Sequence, residues 1–242
     1  MHGAFAGAWC WDEYFLPYFA QHGYRAHAVS LRGHGVSPGR EELPLVGIDD
    51  YVADVLRAAG GLGREAVLIG HSMGAIVVQR AMRLRAAVAG VLMAPVPPQG
   101  LAGSAFLLAV RDPELWCEIS LIQLAHPRYA TLAGLRRAMF SAAVPAEDAL
   151  RHFRRMQQES QRAMFDLGWP QYPWMKGTGK TPVMVIGAER DAFFPPYMIQ
   201  ETACIYGVAA EIIPDMAHAM MLEPNWKGAA DRILAWLRER EI

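Results

Sequence analysis

A chain of 242 residues with 53% hydrophobic and 19% charged side chains carries enough apolar material for one large core and too little charge for a disordered tract. A net charge of −1 and a pI near 6.7 offer no basic face for nucleic acid, and no apolar run reaches the ~18 residues that a membrane span needs. The three cysteines, Cys10, Cys117 and Cys204, are widely spaced and without a C-x-x-C pair; neither a disulfide framework nor a metal site is expected, in keeping with a reduced, cytoplasmic protein.

In chain order, His2-Gly3-Ala4-Phe5-Ala6-Gly7-Ala8-Trp9 opens the sequence as a loop of small residues whose backbone can approach a ligand closely. The apolar spacing predicts a helix over 11–21, a strand over 25–29 and a second helix over 48–62. A strand over 66–69 then meets Gly70-His71-Ser72-Met73-Gly74 and turns at once into a helix over 73–85. This is the G-x-S-x-G arrangement, in which a serine sits on a strained strand-to-helix turn and its hydroxyl is pushed out at the strand's carboxyl end. Gly70 and Gly74 leave room for neighbouring backbone. Further strands are predicted over 88–93, 182–186 and 209–213, and helices over 195–206 and 226–240. Between 97 and 178 no β-type run occurs; helices are predicted over 105–110, 114–124, 132–141 and 147–165, with Pro and Gly at both margins. The alternation implies an α/β fold with a mostly parallel sheet flanked by helices. Residues 1–96 and 179–242 form its core, and 97–178 form an inserted helical cap over the strands' carboxyl ends, where such sheets bind ligands.

An activated serine needs a base, an acid to orient that base, and donors for the developing oxyanion. Asp191 follows the strand 182–186, and His218 follows the strand 209–213, so Ser72, Asp191 and His218 stand in the order expected after such a turn. Met73 N–H and Ala4 N–H, ahead of Phe5, are the expected oxyanion donors. Asp215 is read as part of the histidine loop, and Glu189 and Arg190 as rim charges pairing with each other or with water. His34, His71 and His126 are read as structural, and Arg151-His152-Phe153-Arg154-Arg155 as the solvated face of a cap helix. Large apolar residues crowd the cap, among them Phe106, Trp116, Phe140, Phe165, Trp169 and Trp174. Of the aromatic and sulfur side chains, Phe5, Trp116, Phe193 and Met220 are the candidates to line an apolar substrate pocket.

His2-Gly3-Ala4-Phe5, Arg32-Gly33-His34-Gly35, Gly70-His71-Ser72-Met73-Gly74 and His218-Ala219-Met220-Met221-Leu222-Glu223-Pro224 together resemble the α/β-hydrolase superfamily, nearest its plant-type methyl esterase and hydroxynitrile lyase branch. The resemblance implies that Ser72, Asp191 and His218 are catalytic, with no metal or organic cofactor. The lyases carry a Thr after the first His and a Lys after the acid; Gly3 and Ala192 stand here instead, which favours an esterase. The expected reaction is hydrolysis of a small to medium hydrophobic ester or lactone through an acyl-enzyme. A carbon–carbon bond hydrolase and a slow-hydrolysing ligand receptor use the same residues and stay open, and a homodimer is compatible with the sequence. Family members also carry a strand directly before the His-Gly loop. Only Met1 precedes it here, so native sequence is expected upstream, and any targeting segment with it.

Overall fold

The computed structural model describes residues 1–63, 65–84, 87–124, 131–171 and 181–242. Four parallel strands form one sheet in the order β1 (Val67–His71), β2 (Ala89–Met93), β3 (Val183–Ala188) and β4 (Ala210–Ile213). The register pairs Gly70 with Leu92, Met93 with Ile186, and Ala188 with Ile213. Strands β2 and β3 are buried at every position, as expected of a parallel sheet covered on both faces, and this explains why they read as unbroken apolar runs.

Strand alternation divides the core in two. Val91, Met93, Met184 and Ile186 face α1 (Trp9–Asp12), α2 (Phe15–Gln21) and α11 (Trp226–Arg238), packing with Trp11, Phe15, Ile233 and Leu237. Leu92, Val183 and Val185 face α3 (Ile48–Gly61), α4 (Met73–Leu84) and α10 (Pro196–Tyr206), packing with Val52, Ile76 and Ile199. Full burial of each such aliphatic side chain contributes roughly 1.5–3 kcal/mol. Between β2 and β3 the chain inserts α5 (Leu101–Arg111), α6 (Pro113–Leu124), α7 (Leu132–Met139), α8 (Ala146–Phe153) and α9 (Gln161–Gly168), with no strand among the described residues. No helix among the described residues is long and apolar enough to cross a membrane.

Three expected elements differ. The helix over 11–21 is broken into α1 and α2, because the ring of Pro17 excludes the carbonyl of residue 13 from a continuous helix. The helix over 147–165 is divided by a link at 154–160, where Ser160 caps α9 by accepting from Ala163 N at 3.1 Å. Residues 25–29 are not a strand. A groove of about 880 Å³ separates them from β1, with Tyr24, Ala26 and Ala28 on one wall and Ala66, Leu68 and Ile69 on the other, too wide for ladder pairing. Met1 pairs with the edge of β1: its N donates to Ile69 O at 2.6 Å, and its O accepts from His71 N at 3.0 Å.

Candidate active site

Ser72 occupies the turn between β1 and α4 with φ +54°, a backbone conformation that costs a non-glycine residue about 1–2 kcal/mol. The neighbouring chain imposes it. Ser72 N donates to Met93 O at 2.9 Å, Ala75 N to Ser72 O at 3.0 Å, and the N-terminal loop presses on the first turn of α4. A Cβ at Gly74 would lie 2.4 Å from His2 O and 2.7 Å from Met1 O, so that approach requires glycine. The Ser72 side chain is half-buried, and its hydroxyl makes no hydrogen bond among the described residues.

Asp191 and His218 arrive from successive strand ends. One carboxylate oxygen of Asp191, Oδ1, accepts from Phe193 N at 2.8 Å and Phe194 N at 3.0 Å. The other, Oδ2, lies 2.7 Å from His218 Nδ1, with both side chains almost wholly buried. A carboxylate at Nδ1 holds the proton there and leaves Nε2 as the base. His71, next to the serine, binds the carbonyl of His218 through Nε2 at 2.8 Å, its ring 4.7 Å from the His218 ring. Burial, with His218 beside it, pulls the His71 pKa well below the ordinary value, so this neutral ring joins the serine's turn to the histidine's loop. Phe193 and Phe194 stand edge-on to His218 at 4.9 and 5.4 Å.

The N-terminal loop completes the group. A Cβ at Gly3 would lie 3.1 Å from Ser72 Cβ, which brings this backbone directly beside the serine. His2 accepts Leu31 N at 3.1 Å on Nε2 and holds Gly3 O at 2.8 Å with Nδ1; burial lowers its pKa to about 3, keeping it neutral. Phe5 N is taken by Glu159 Oε2 at 3.1 Å, whereas the amides of Ala4 and Met73 have no protein acceptor among the described residues.

The sequence pattern of the alpha/beta hydrolase family matches residues 1–231. The chain belongs to that family. Non-heme chloroperoxidase of Streptomyces lividans is 43% identical over 104 residues, which are 40% of this chain and 36% of that protein. PIR7A of Oryza sativa subsp. indica, described as a probable esterase, is 30% identical over 146 residues, 55% of this chain and 54% of its own. The chain thus spans about half or less of the curated relatives it matches. The esterase EaEST of Exiguobacterium antarcticum shares the fold, with a TM-score of 0.78 over 98% of this chain and 90% of that one at 16% identity. The match to this probable plant esterase agrees with the plant-type esterase resemblance of the histidine, elbow and N-terminal motifs.

Within this alpha/beta hydrolase, the rim charges pair differently from expectation. Arg190 is ion-paired with Asp215, and Glu189 Oε2 accepts Asp215 N at 3.0 Å, so both brace the histidine loop rather than each other. Asp215 itself takes φ +52°. In the segment 151–155, Arg151, Arg154 and Arg155 are exposed, but His152 is buried and stacks with Trp9 at 6.0 Å. Arg151 also binds Glu13 through both guanidinium ends, at 2.7 and 2.8 Å.

The substrate-lining candidates scatter. Phe193 packs between His218 and the apolar cluster of Leu108, Leu115, Ile119 and Met139 in the insertion. Phe5 is half-buried beside the serine's loop. Met220 is 0% exposed inside the core, and its N donates to His218 O at 2.8 Å. Trp116 is 39% exposed and joins none of the core clusters. His126 and Trp174 lie outside the described residues.

Glu159 carried no sequence signal, and Glu223 stood inside the His218–Pro224 motif without its partner being legible there. Glu223, fully buried, accepts Ser141 N at 2.7 Å and Ser141 Oγ at 2.5 Å, while Ala219 N donates to Met139 O at 2.8 Å. These bonds fasten the histidine loop to the end of α7. Burial raises the Glu223 pKa above the usual carboxylate value against the pull of its donors. Its contribution to stability is therefore complete below the unfolded-state pKa and is lost as pH rises through the raised folded value. The urea unfolding midpoint of the native protein relative to that of Glu223→Gln, measured from about pH 4 to about pH 8, is expected to fall with rising pH.

Proposed function

We propose that the protein is a serine hydrolase that cleaves small to medium hydrophobic carboxylic esters or lactones through an acyl-enzyme. The 2.7 Å bond between His218 Nδ1 and buried Asp191, beside a serine on a strained turn, carries this reading. His218 Nε2 takes the Ser72 proton as the hydroxyl attacks the ester carbonyl. The amides of Met73 and Ala4, with the amino end of α4 behind them, stabilise the tetrahedral oxyanion; one such donor is worth about 3 kcal/mol in the transition state. The protonated imidazole then gives its proton to the leaving alcohol, and the same base activates water to hydrolyse the acyl group.

Substrate character follows from what surrounds His218. Phe193 stands against His218 and packs with Leu108, Ile119 and Met139 of the insertion, an apolar surrounding that suits an uncharged acyl group. In this reading, residues 97–178 act as the cap over a core of 1–96 and 179–242.

Labelling with a fluorophosphonate, followed by a panel of p-nitrophenyl esters and lactones, tests the proposal. Label on Ser72 with steady turnover of the shorter apolar esters is expected. Label elsewhere, or a single stoichiometric burst with no further turnover, rejects it.

A further inference from the structure

Phe5 has both of its main-chain polar atoms held from the helical insertion. Its N donates to Glu159 Oε2 at 3.1 Å, and its O accepts from Gln157 N at 2.9 Å. The residue sits at φ +62°, a conformation that a non-glycine residue keeps only where its surroundings impose it. Gln157 also accepts Gly35 N at 2.7 Å and donates to Gly33 O at 2.7 Å, so one short strap grips two loops.

Peptide planarity carries this restraint to Ala4. Gly3 O is held by His2, so the Ala4 N–H, antiparallel to that carbonyl across the trans peptide, points away from the His2 ring. The next peptide plane is fixed by Phe5 N on Glu159. Ala4 thus lies between two clamped planes, directly after the residue that abuts Ser72.

Glu159 is itself heavily anchored. It is 3% exposed and, besides Phe5 N, accepts His34 Nε2 at 3.1 Å, Tyr51 OH at 2.6 Å and Ser160 N at 2.7 Å. His34 turns its other nitrogen to Arg32 O at 3.0 Å, so both ring nitrogens face acceptors, an arrangement that favours the imidazolium. Burial opposes both charges, yet the hydrogen bond between them holds His34 above its ordinary pKa and Glu159 below. A full carboxylate at this place accepts four donors, which a neutral amide cannot do.

The geometry points to Glu159 as a positioning residue: by holding Phe5 N–H it sets the Ala4 amide where the oxyanion forms. The inference rests on the serine-hydrolase reading and adds to it a residue from the insertion that acts on the chemistry without touching substrate.

The test compares the native enzyme with Glu159→Gln, Glu159→Ala and, as a control, Ser160→Ala, which weakens the cap of α9 but leaves Glu159 in place. Active sites are counted by fluorophosphonate titration, and kcat, KM for p-nitrophenyl butyrate and Ki for an alkyl trifluoromethyl ketone, which forms an oxyanion adduct, are measured per active site. Both Glu159 variants are expected to lose roughly tenfold or more in kcat and in ketone affinity, with KM nearly constant. Ser160→Ala is expected to lower the thermal midpoint with no change in the ratio of Ki to KM. A purely structural role predicts loss of active sites at full kcat per site, and that result in Glu159→Gln overturns the inference even where Glu159→Ala fails to fold. A native enzyme that turns over the ester while the Glu159 variants match it overturns this inference alone. A native enzyme that is neither labelled nor active overturns the hydrolase reading and this with it.

Discussion

Ser72→Ala is expected to lower kcat for p-nitrophenyl butyrate by roughly 10⁵-fold or more, the scale on which a hydrolase loses its nucleophile. Folding should survive, because the hydroxyl has no partner among the described residues to be orphaned. The bonds that fix the turn, from Ser72 N to Met93 O and from Ala75 N to Ser72 O, belong to the main chain and remain. Alanine meets about the same penalty as serine at φ +54°. Unchanged thermal unfolding with lost turnover and lost fluorophosphonate label is the expected pattern. Turnover persisting in a folded variant places the nucleophile elsewhere.

The second large effect is expected at Asp191, and here the structure dictates which way an amide would face. Asp191 Oδ1 receives two backbone donors, Phe193 N and Phe194 N, and Oδ2 receives His218 Nδ1. In Asp191→Asn the side-chain carbonyl must turn to the two N–H groups, since an NH₂ group there would leave three donors facing one another. The amide nitrogen then faces His218 Nδ1 and donates to it, forcing the proton to Nε2. An imidazole in that tautomer cannot accept the serine proton, and kcat is expected to fall about 10⁴-fold with KM and stability little changed. Asp191→Ala differs in a way that checks the argument. It leaves the amides of Phe193 and Phe194 unpaired, so it should lower the unfolding temperature as well as the rate. A mild kinetic effect in the folded asparagine variant would move the orienting acid to another residue.

Much of the fold was legible because the determining interactions are local. The strands β1 to β4 fall within two residues of their predicted positions, and the apolar runs that define them are broken by Gly, Pro or polar residues at each end. The turn at Ser72 is equally local, since glycines on either side announce it. What escaped depends on distant partners. Residues 25–29 have the composition of a strand, but pairing needs a neighbour, and among the described residues the groove lies between them and β1. The break before α9 follows from Ser160 and Glu159 finding partners more than 100 residues away in Val46, His34 and Tyr51. Glu223 stands inside the His218–Pro224 motif, but its role was not legible there, because its partner Ser141 lies far away in the chain. Asp215 was placed in the right loop, but the ion pair that braces it could not be chosen from sequence, where Glu189 and Arg190 are adjacent.

The two fastenings between the insertion and the loops beside Ser72 and His218 divide that insertion into unlike parts. Met139 and Ser141 hold one loop, and Gln157 and Glu159 hold the other, whereas α5 and α6 carry no such hydrogen bonds among the described residues. An exchange of helices between relatives, made to change which acyl groups are admitted, can therefore take α5 and α6 provided that the apolar packing on Phe193 is kept. A transplant that also takes 139–141 or 157–159 without their partners exchanges selectivity for a slack hinge under the chemistry.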